Sequence, residues 1–250
     1  MKNLIIADIR RILMKKTFWM FLLIDIIVLL GNIIYLKVDG NWNAFSFTSL
    51  ILTHLENFAV VLVSINVFLI VYADEFRSMS MTVAIGRGIS RDKIIISKVI
   101  DTVMMTFVCY LVIALVVFVS AFAANAGLSP TNINYILTGL FTSAYIAMGV
   151  VIISAVVLFI SNNVALSIFF ELILTLILPL VITLLKDVPL IATLHIDRYY
   201  LFGVANWAFS DWMLGLVGNA IMVFFLGFVC YVGLATLATI FVFRRKELEF

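Results

Sequence analysis

Residues 129–185 read SPTNINYILTGLFTSAYIAMGVVIISAVVLFISNNVALSIFFELILTLILPLVITLL and contain two long apolar runs separated by Asn162-Asn163. About 20 mostly apolar residues in a helix cross a hydrocarbon core, and each run reaches that length. A barrel strand would instead alternate polar and apolar residues over about ten positions. Ser129-Pro130 is a typical helix start, with a capping hydroxyl and a proline in the first turn. This stretch predicts two membrane-spanning helices joined by a tight break.

The rest of the chain has the same apolar character. Hydrophobic residues make up 65% of the sequence, charged residues 12%, and the mean hydropathy is +1.23. Soluble domains have about 45–50% apolar and about 25% charged residues, and they cannot hide this much apolar surface. The sequence therefore predicts an all-α membrane protein, a single transmembrane domain over residues 1–250, with six transmembrane helices at 18–36, 50–72, 99–124, 135–160, 164–185 and 216–243.

Basic residues are distributed unevenly between the loops. Of the 16 Lys and Arg residues, 13 fall in segments 1–17, 73–98, 161–163 and 244–250, and the other three fall in segments 37–49, 125–134 and 186–215. Because Lys and Arg are enriched in cytoplasmic loops, both termini and the 73–98 loop are predicted to be cytoplasmic. The net charge of +2 needs no nucleic-acid partner, since the basic residues lie where membrane topology places them.

Segments 1–17 and 186–215 differ from the spans. In the first, an apolar arc (Ile5, Ile6, Ile9, Ile12, Leu13) opposes a polar arc (Asn3, Asp8, Arg10, Arg11, Lys15), as in an amphipathic helix lying in the headgroup layer of membrane lipid. A topogenic basic cluster is the alternative. Segment 186–215 is rich in Tyr and Trp, which favours short helices at the outer interface, with a binding surface as the alternative.

The loop at 73–98 is charged and punctuated by glycine. Residues 79–85 are apolar enough for a short helix, Gly86 and Gly88 break the chain around Arg87, and Ser90 is a candidate helix cap. Such a segment suits docking on another protein, while an ordinary basic loop is the alternative.

The whole arrangement resembles the membrane subunits of ABC-2-type transporters. The features that carry the resemblance are the amphipathic start, the six spans, a cytoplasmic loop with Glu75, then Ser90-Arg91, then Lys98, and the terminal FRRKELEF. Small bacterial permeases that export peptides or confer bacteriocin immunity are most similar. Many members have a proline just ahead of the Ser-Arg pair, whereas this chain has Gly88 and Ile89.

The resemblance implies a permease of the bacterial cytoplasmic membrane that pairs with a second permease copy, identical or related. It also implies that a P-loop ATPase subunit holds ATP and Mg, since this chain has no G-x-x-x-x-G-K-[ST] motif. The residues implied to contact that ATPase are Met81, Ile85, Arg87, Ile89, Ser90, Arg91 and Lys93.

Polar residues inside the predicted spans are the candidates for a substrate path, because a charge at the bilayer centre costs about 2.5–3.5 kcal/mol on insertion scales. On span five, Ser167, Glu171 and Thr175 recur every four residues and form one stripe. Asp25 lies near mid-depth in span one, His54 and Glu56 near the outer end of span two, and Asp101 close to the inner interface, where water reaches it. Asn57 and Ser64 are seven residues apart and are expected to share a face. The alternative to a path is interhelical hydrogen bonding.

Acidic groups facing a cavity favour a cationic or amphipathic substrate, such as a bacteriocin or cytotoxic peptide, with lipophilic drug-like cations as the alternative. Two other classes remain. An intramembrane hydrolase would depend on His54-x-Glu56 and His195-x-Asp197, but H-E-x-x-H and G-x-S-x-G are absent, so no catalytic or metal site is expected. An ion-coupled carrier is disfavoured because no internal repeat is visible.

Overall fold

The computed structural model describes residues 2–40, 42–78, 80–186, 188, 193 and 195–245, without the side chains of residues 2–4 and 196. Over these residues the chain is helical and contains no strand. Parts of the 186–215 loop and the terminal residues 246–250 of FRRKELEF lie outside the described residues.

Six helices are long and apolar enough to cross a membrane, which confirms the predicted number of spans. We name them spans one to six: Lys16–Val38, Ala44–Arg77, Arg91–Ala123, Pro130–Ser161, Val164–Leu185 and Val217–Arg245. Shorter helices are Lys2–Leu13 (the N-terminal helix), Ser80–Gly86 (the connecting helix), Ile196–Tyr199 and Leu201–Met213. The all-α, multi-pass architecture agrees with the sequence prediction.

Local capping explains where several spans begin. The Ser129 side chain accepts a hydrogen bond from the backbone N–H of Asn132 at 3.2 Å, as the Ser-Pro start predicts. Asn162 ends span four with φ 57°, and the Asn163 side chain accepts bonds from the first amides of span five. Span two begins at Ala44, six residues before the predicted boundary, because Asn43 caps it by accepting from the Ser46 amide at 2.8 Å.

Spans two and four form the centre of the bundle. In the most apolar stretch of 18 residues, 61% of residues are buried in span two and 67% in span four. The corresponding fractions are 22% in span one, 17% in span five and 28% in span six. Side chains such as Leu55, Phe68 and Val151 are at most 1% exposed. The peripheral spans therefore present most of their apolar surface outward, as a lipid-facing helix does.

π-helical turns interrupt three of the spans at Leu55–Ala59, Leu69–Ala73, Ile173–Ile177 and Val229–Gly233. A π turn holds one more residue than an α turn, so it changes the face on which later residues lie. The prediction that Asn57 and Ser64 share a face is wrong for this reason: Asn57 is exposed, whereas Ser64 is fully buried.

Helix Leu201–Met213 differs from the shallow interfacial helices predicted for the 186–215 loop. It packs antiparallel to span four: Leu201 approaches Gly149, the Phe209 ring lies 6.2 Å from Tyr135, and Trp212 Nε1 donates to Asn134 Oδ1 at 3.3 Å. The stretch of span four from Gly149 to Asn134 is about 22 Å long, most of a hydrocarbon core of about 30 Å. We call this element the re-entrant helix.

Both described chain ends lie on one face of the bundle. Lys15 Nζ is 2.5 Å from Asp74 at the end of span two, and Arg91 at the start of span three bonds to the end of span six. We call this the terminal face and the opposite one, where spans one and two meet near Ala44, the far face.

Candidate coupling surface and buried polar sites

The connecting helix is closed by a glycine in the left-handed region. Gly88 has φ +85°, its amide donates to the Ile85 carbonyl at 2.8 Å, and the Ile89 amide donates to the Ala84 carbonyl at 3.1 Å. This pair of bonds is the Schellman arrangement, which ends a helix abruptly and needs a residue tolerant of positive φ. Gly88 therefore sets the turn that presents residues 86–90.

The predicted ATPase-contacting residues divide into two groups. Met81 is buried, and Ile85 and Ile89 pack partly buried against the core, so they hold the connecting helix to the bundle. Arg87, Ser90 and Lys93 are exposed. We call these three residues the coupling surface. Ser90 occupies the N-cap position of span three, but its side chain makes no capping hydrogen bond, contrary to the predicted cap.

Arg91 is directed toward its own chain. Its guanidinium donates to the carbonyl oxygens of Phe243 and Arg244, both at 2.8 Å, and lies 5.7 Å from the centre of the Phe243 ring. These carbonyls belong to the last turn of span six, which lacks intrahelical partners for them. Asp92 pairs with Arg244 beside it. Arg91 therefore ties the coupling surface to span six.

The N-terminal helix is attached to the bundle through its polar arc. Lys98 Nζ lies 2.6 Å from both Asp8 and Glu75, and Arg11 also pairs with Glu75. Lys98 and Glu75 are 2% and 4% exposed. The amphipathic pattern instead predicts that this arc faces water and headgroups, because the partners of Arg11 and Asp8 are 64 and 90 residues away in the chain and no local pattern links them.

Asp101 belongs to the same cluster. It was set aside as water-accessible, but it is fully buried, and its Oδ2 lies 3.3 Å from Lys98 Nζ. The position i+3 from Lys98 on one helix was the signal that could have revealed the pair. We call Asp8, Arg11, Glu75, Lys98 and Asp101 the charged cluster.

The polar stripe of span five is buried within the chain. Ser167 and Glu171 are fully buried and Thr175 is 6% exposed. The Ser64 hydroxyl of span two faces the Glu171 carboxyl, although it donates its hydrogen to the Val61 carbonyl at 3.1 Å. Neither carboxyl oxygen of Glu171 has a well-aligned partner among the described residues. The stripe therefore lies between spans two and five of one chain, not on a surface that a second copy would contact.

Asp25 has a partner that the sequence analysis did not foresee. His54 Nε2 lies 3.2 Å from Asp25 Oδ1, and both side chains are 1% exposed. His54 was placed near the outer end of span two, but that span begins at Ala44, so His54 lies about 15 Å along it and reaches the depth of Asp25. The pair joins spans one and two near the middle of the bundle.

The remaining polar residues of span two differ from His54 in exposure and in hydrogen bonding. Glu56 and Asn57 lie in a π turn and are exposed, with the Asn57 amide donating to the Thr53 carbonyl at 2.9 Å. Asn66 is buried and donates to the Phe18 carbonyl at 3.1 Å. Within the described ranges, no cluster of three or more His, Cys, Asp or Glu residues could hold a metal ion.

Comparison with known families and curated proteins finds no match to any family model and no similar protein.

Proposed function

We propose that the chain is the membrane-spanning permease subunit of an ATP-driven ABC exporter in a bacterial cytoplasmic membrane, working as a homodimer or with a related permease. The terminal face is then cytoplasmic, in keeping with the 13 Lys and Arg residues of segments 1–17, 73–98 and 244–250. ATP and Mg bind a separate P-loop subunit.

The observation that carries the proposal is the coupling surface. Arg87, Ser90 and Lys93 are exposed on the terminal face, while Met81, Ile85 and Ile89 anchor the segment to the core. Arg91 connects the same segment to span six, and Glu75 and Lys98 connect it to the N-terminal helix. A force applied at this surface would therefore reach three separate parts of the bundle.

The test is co-purification. The tagged chain, extracted gently from its native host, should bring a soluble P-loop ATPase in equal amount. The double variant Arg87→Glu/Lys93→Glu should lose it, because two exposed positive charges become negative. Lys186→Glu is the matched control, since it makes the same change at an exposed residue on the far face. An ATPase retained by the double variant, or a chain that purifies alone under several mild conditions, would contradict the proposal.

The substrate we propose is a cationic amphipathic peptide. Of the three acidic candidates, Glu56 is exposed and no described Lys or Arg lies within ion-pair distance of it, whereas Asp25 pairs with His54 and Glu171 is buried within the chain. Acidic groups in a low-dielectric region attract cations more strongly than in water. Vesicles containing the permease and its ATPase should therefore move such peptides. Movement of neutral lipids without cationic peptides would overturn this assignment, and movement of small lipophilic cations alone would replace the peptide by that class.

A further inference from the structure

A cleft opens between spans one and two in the half of the bundle nearest the far face. Its volume is about 470 Å³, and its lining combines the apolar side chains of Phe45, Leu50 and Phe58 with the polar side chains of Asn32, Ser46, Ser49, Thr53 and His54. Hydroxyl and amide groups are uncommon on a helix surface that faces only lipid, because they lose their water partners there. The lining therefore suits water that enters from the far face.

His54 lines this cleft, and Asp25 lies behind it, within ion-pair distance of the imidazole. Both side chains are 1% exposed and their nearest polar atoms are 3.2 Å apart. Neither imidazole nitrogen and neither carboxyl oxygen has a well-aligned hydrogen bond among the described residues. Four buried polar atoms without such a bond are rare in a folded protein, and a functional role is one explanation.

Apart from His54, the described groups around the Asp25 carboxyl group carry no positive charge. Span three contributes the Cys109 thiol and the Tyr110 hydroxyl near Asp25. On span two, the Phe58 ring stacks on His54 at 5.8 Å, and Glu56, two residues after His54, is exposed. Tyr35 of span one lines the cleft. No described Lys or Arg lies within ion-pair distance of the carboxyl group.

An isolated charge is costly at this depth, whereas a pair of opposite charges, or two neutral groups, is tolerated. The pair is neutral when it holds one shared proton, and loss of that proton leaves a single negative charge. We propose that Asp25 and His54 form a proton-binding site that exchanges its proton with the far face through the cleft between spans one and two.

The exchange needs only a small opening. Phe58 lines the cleft beside His54 and stacks on the imidazole, so the ring covers one face of it. His54 also immediately precedes the π turn Leu55–Ala59, and such turns are frequent at functional sites. A proton from water in the cleft adds to an imidazole nitrogen, the carboxylate balances the charge, and release reverses the step. A metal ion would need about three protein ligands, more than this pair supplies.

The test uses the full chain in lipid nanodiscs and needs no ATPase, so it is independent of the proposed export function. Infrared difference spectra between acidic and alkaline buffer should contain imidazole bands from His54, together with carboxylate stretching bands from Asp25 that shift as the neighbouring imidazole gains its proton. Asp25→Asn should remove the carboxylate bands, and His54→Gln should remove the imidazole bands and leave the carboxylate bands without that shift. Glu171→Gln is the matched control, because Glu171 is equally buried but does not line this cleft and pairs with no histidine among the described residues.

Phe58→Ala and Ser49→Trp test the route. After transfer to deuterated buffer, Phe58→Ala should speed isotope exchange at the pair, and Ser49→Trp, which fills the cleft, should slow it. Both variants keep Asp25 and His54. If the bands of the pair remain and only the rate of isotope exchange changes, the variant has altered the access of water to the pair and has not misfolded. Spectra unchanged in Asp25→Asn, or a band lost in Glu171→Gln instead, would overturn the site. Exchange unaffected by either cleft variant would overturn the route.

Discussion

Arg91 and Phe243 are 152 residues apart in the chain, yet the Arg91 guanidinium donates a 2.8 Å hydrogen bond to the Phe243 carbonyl oxygen. The contact joins the first turn of span three to the last turn of span six. Since Arg87 and Ser90 of the coupling surface precede Arg91 and Lys93 follows it, a charge-assisted bond joins this segment directly to span six.

Arg91→Ala should therefore loosen the end of span six. The hydrogen bonds that the charged Arg91 side chain donates contribute at most about 1.5–3 kcal/mol to the free energy of unfolding. The partial exposure of Arg91 to water lowers this contribution. We expect a lower midpoint of thermal unfolding in detergent. Lys93→Ala is the control because Lys93 is exposed two residues away. Equal midpoints for the two variants would contradict a structural role for Arg91.

Lys98→Met should be the most damaging change in the charged cluster. It leaves the buried carboxyl group of Asp101 without its cation and leaves Glu75 with Arg11 alone, and breaking a buried pair in this way costs about 3–5 kcal/mol. The measurement is the yield of monodisperse protein after extraction. Adding Glu75→Gln to Lys98→Met should restore part of that yield. A double variant as poor as Lys98→Met would mean that charge balance is not the cause.

Gly88→Ala should destabilise the turn that ends the connecting helix. Gly88 has φ +85°, a backbone conformation that costs a residue with a Cβ about 1–2 kcal/mol. Faster amide hydrogen exchange over residues 80–90 would report the change. Gly86→Ala provides the comparison, because Gly86 is helical and a Cβ there would meet no atom within 4 Å. Protection that falls equally in both variants would argue against the strained-turn explanation.

Gly203→Ala should displace the re-entrant helix. A Cβ at this position would lie 2.0 Å from the Asp197 carbonyl oxygen, a distance that backbone atoms cannot accept without moving. We expect the variant to lose compactness, measured as an earlier unfolding transition and easier proteolysis of the 196–213 segment. Gly218→Ala on span six meets nothing within 4 Å and should behave like the unmodified chain. Wild-type stability of Gly203→Ala would contradict this close packing.

Glu171 distinguishes a substrate path from bundle stabilisation. If the stripe of span five contacts substrate, Glu171→Gln should lower peptide export while the protein yield stays unchanged, since glutamine keeps the size and polarity of the side chain. If the role is structural, Glu171→Gln should leave export unchanged and Glu171→Leu should lower yield alone. Export and yield measured on both variants separate these outcomes.

Much of the architecture followed from signals within a few residues of one another. The length and composition of the apolar runs predicted six spans, Ser129-Pro130 predicted the start of span four, and Asn162-Asn163 predicted the break before span five. These features depend on helix rise, hydropathy and backbone capping, which are local properties of the chain.

The polar contacts required the tertiary structure. The His54–Asp25 pair and the bond from Arg91 to span six join distant segments, and nothing in the local pattern of either partner names the other. Asn57 was assigned to the wrong face because one extra residue in a π turn changes the helical register without changing hydropathy. The aromatic composition of the 186–215 loop predicts a position at the interface, whereas the close approach of Leu201 to Gly149 allows Leu201–Met213 to pack deep inside the bundle. Hydropathy and capping act over a few residues and settle which segments are helices, whereas the pairing of buried charges depends on how those helices pack.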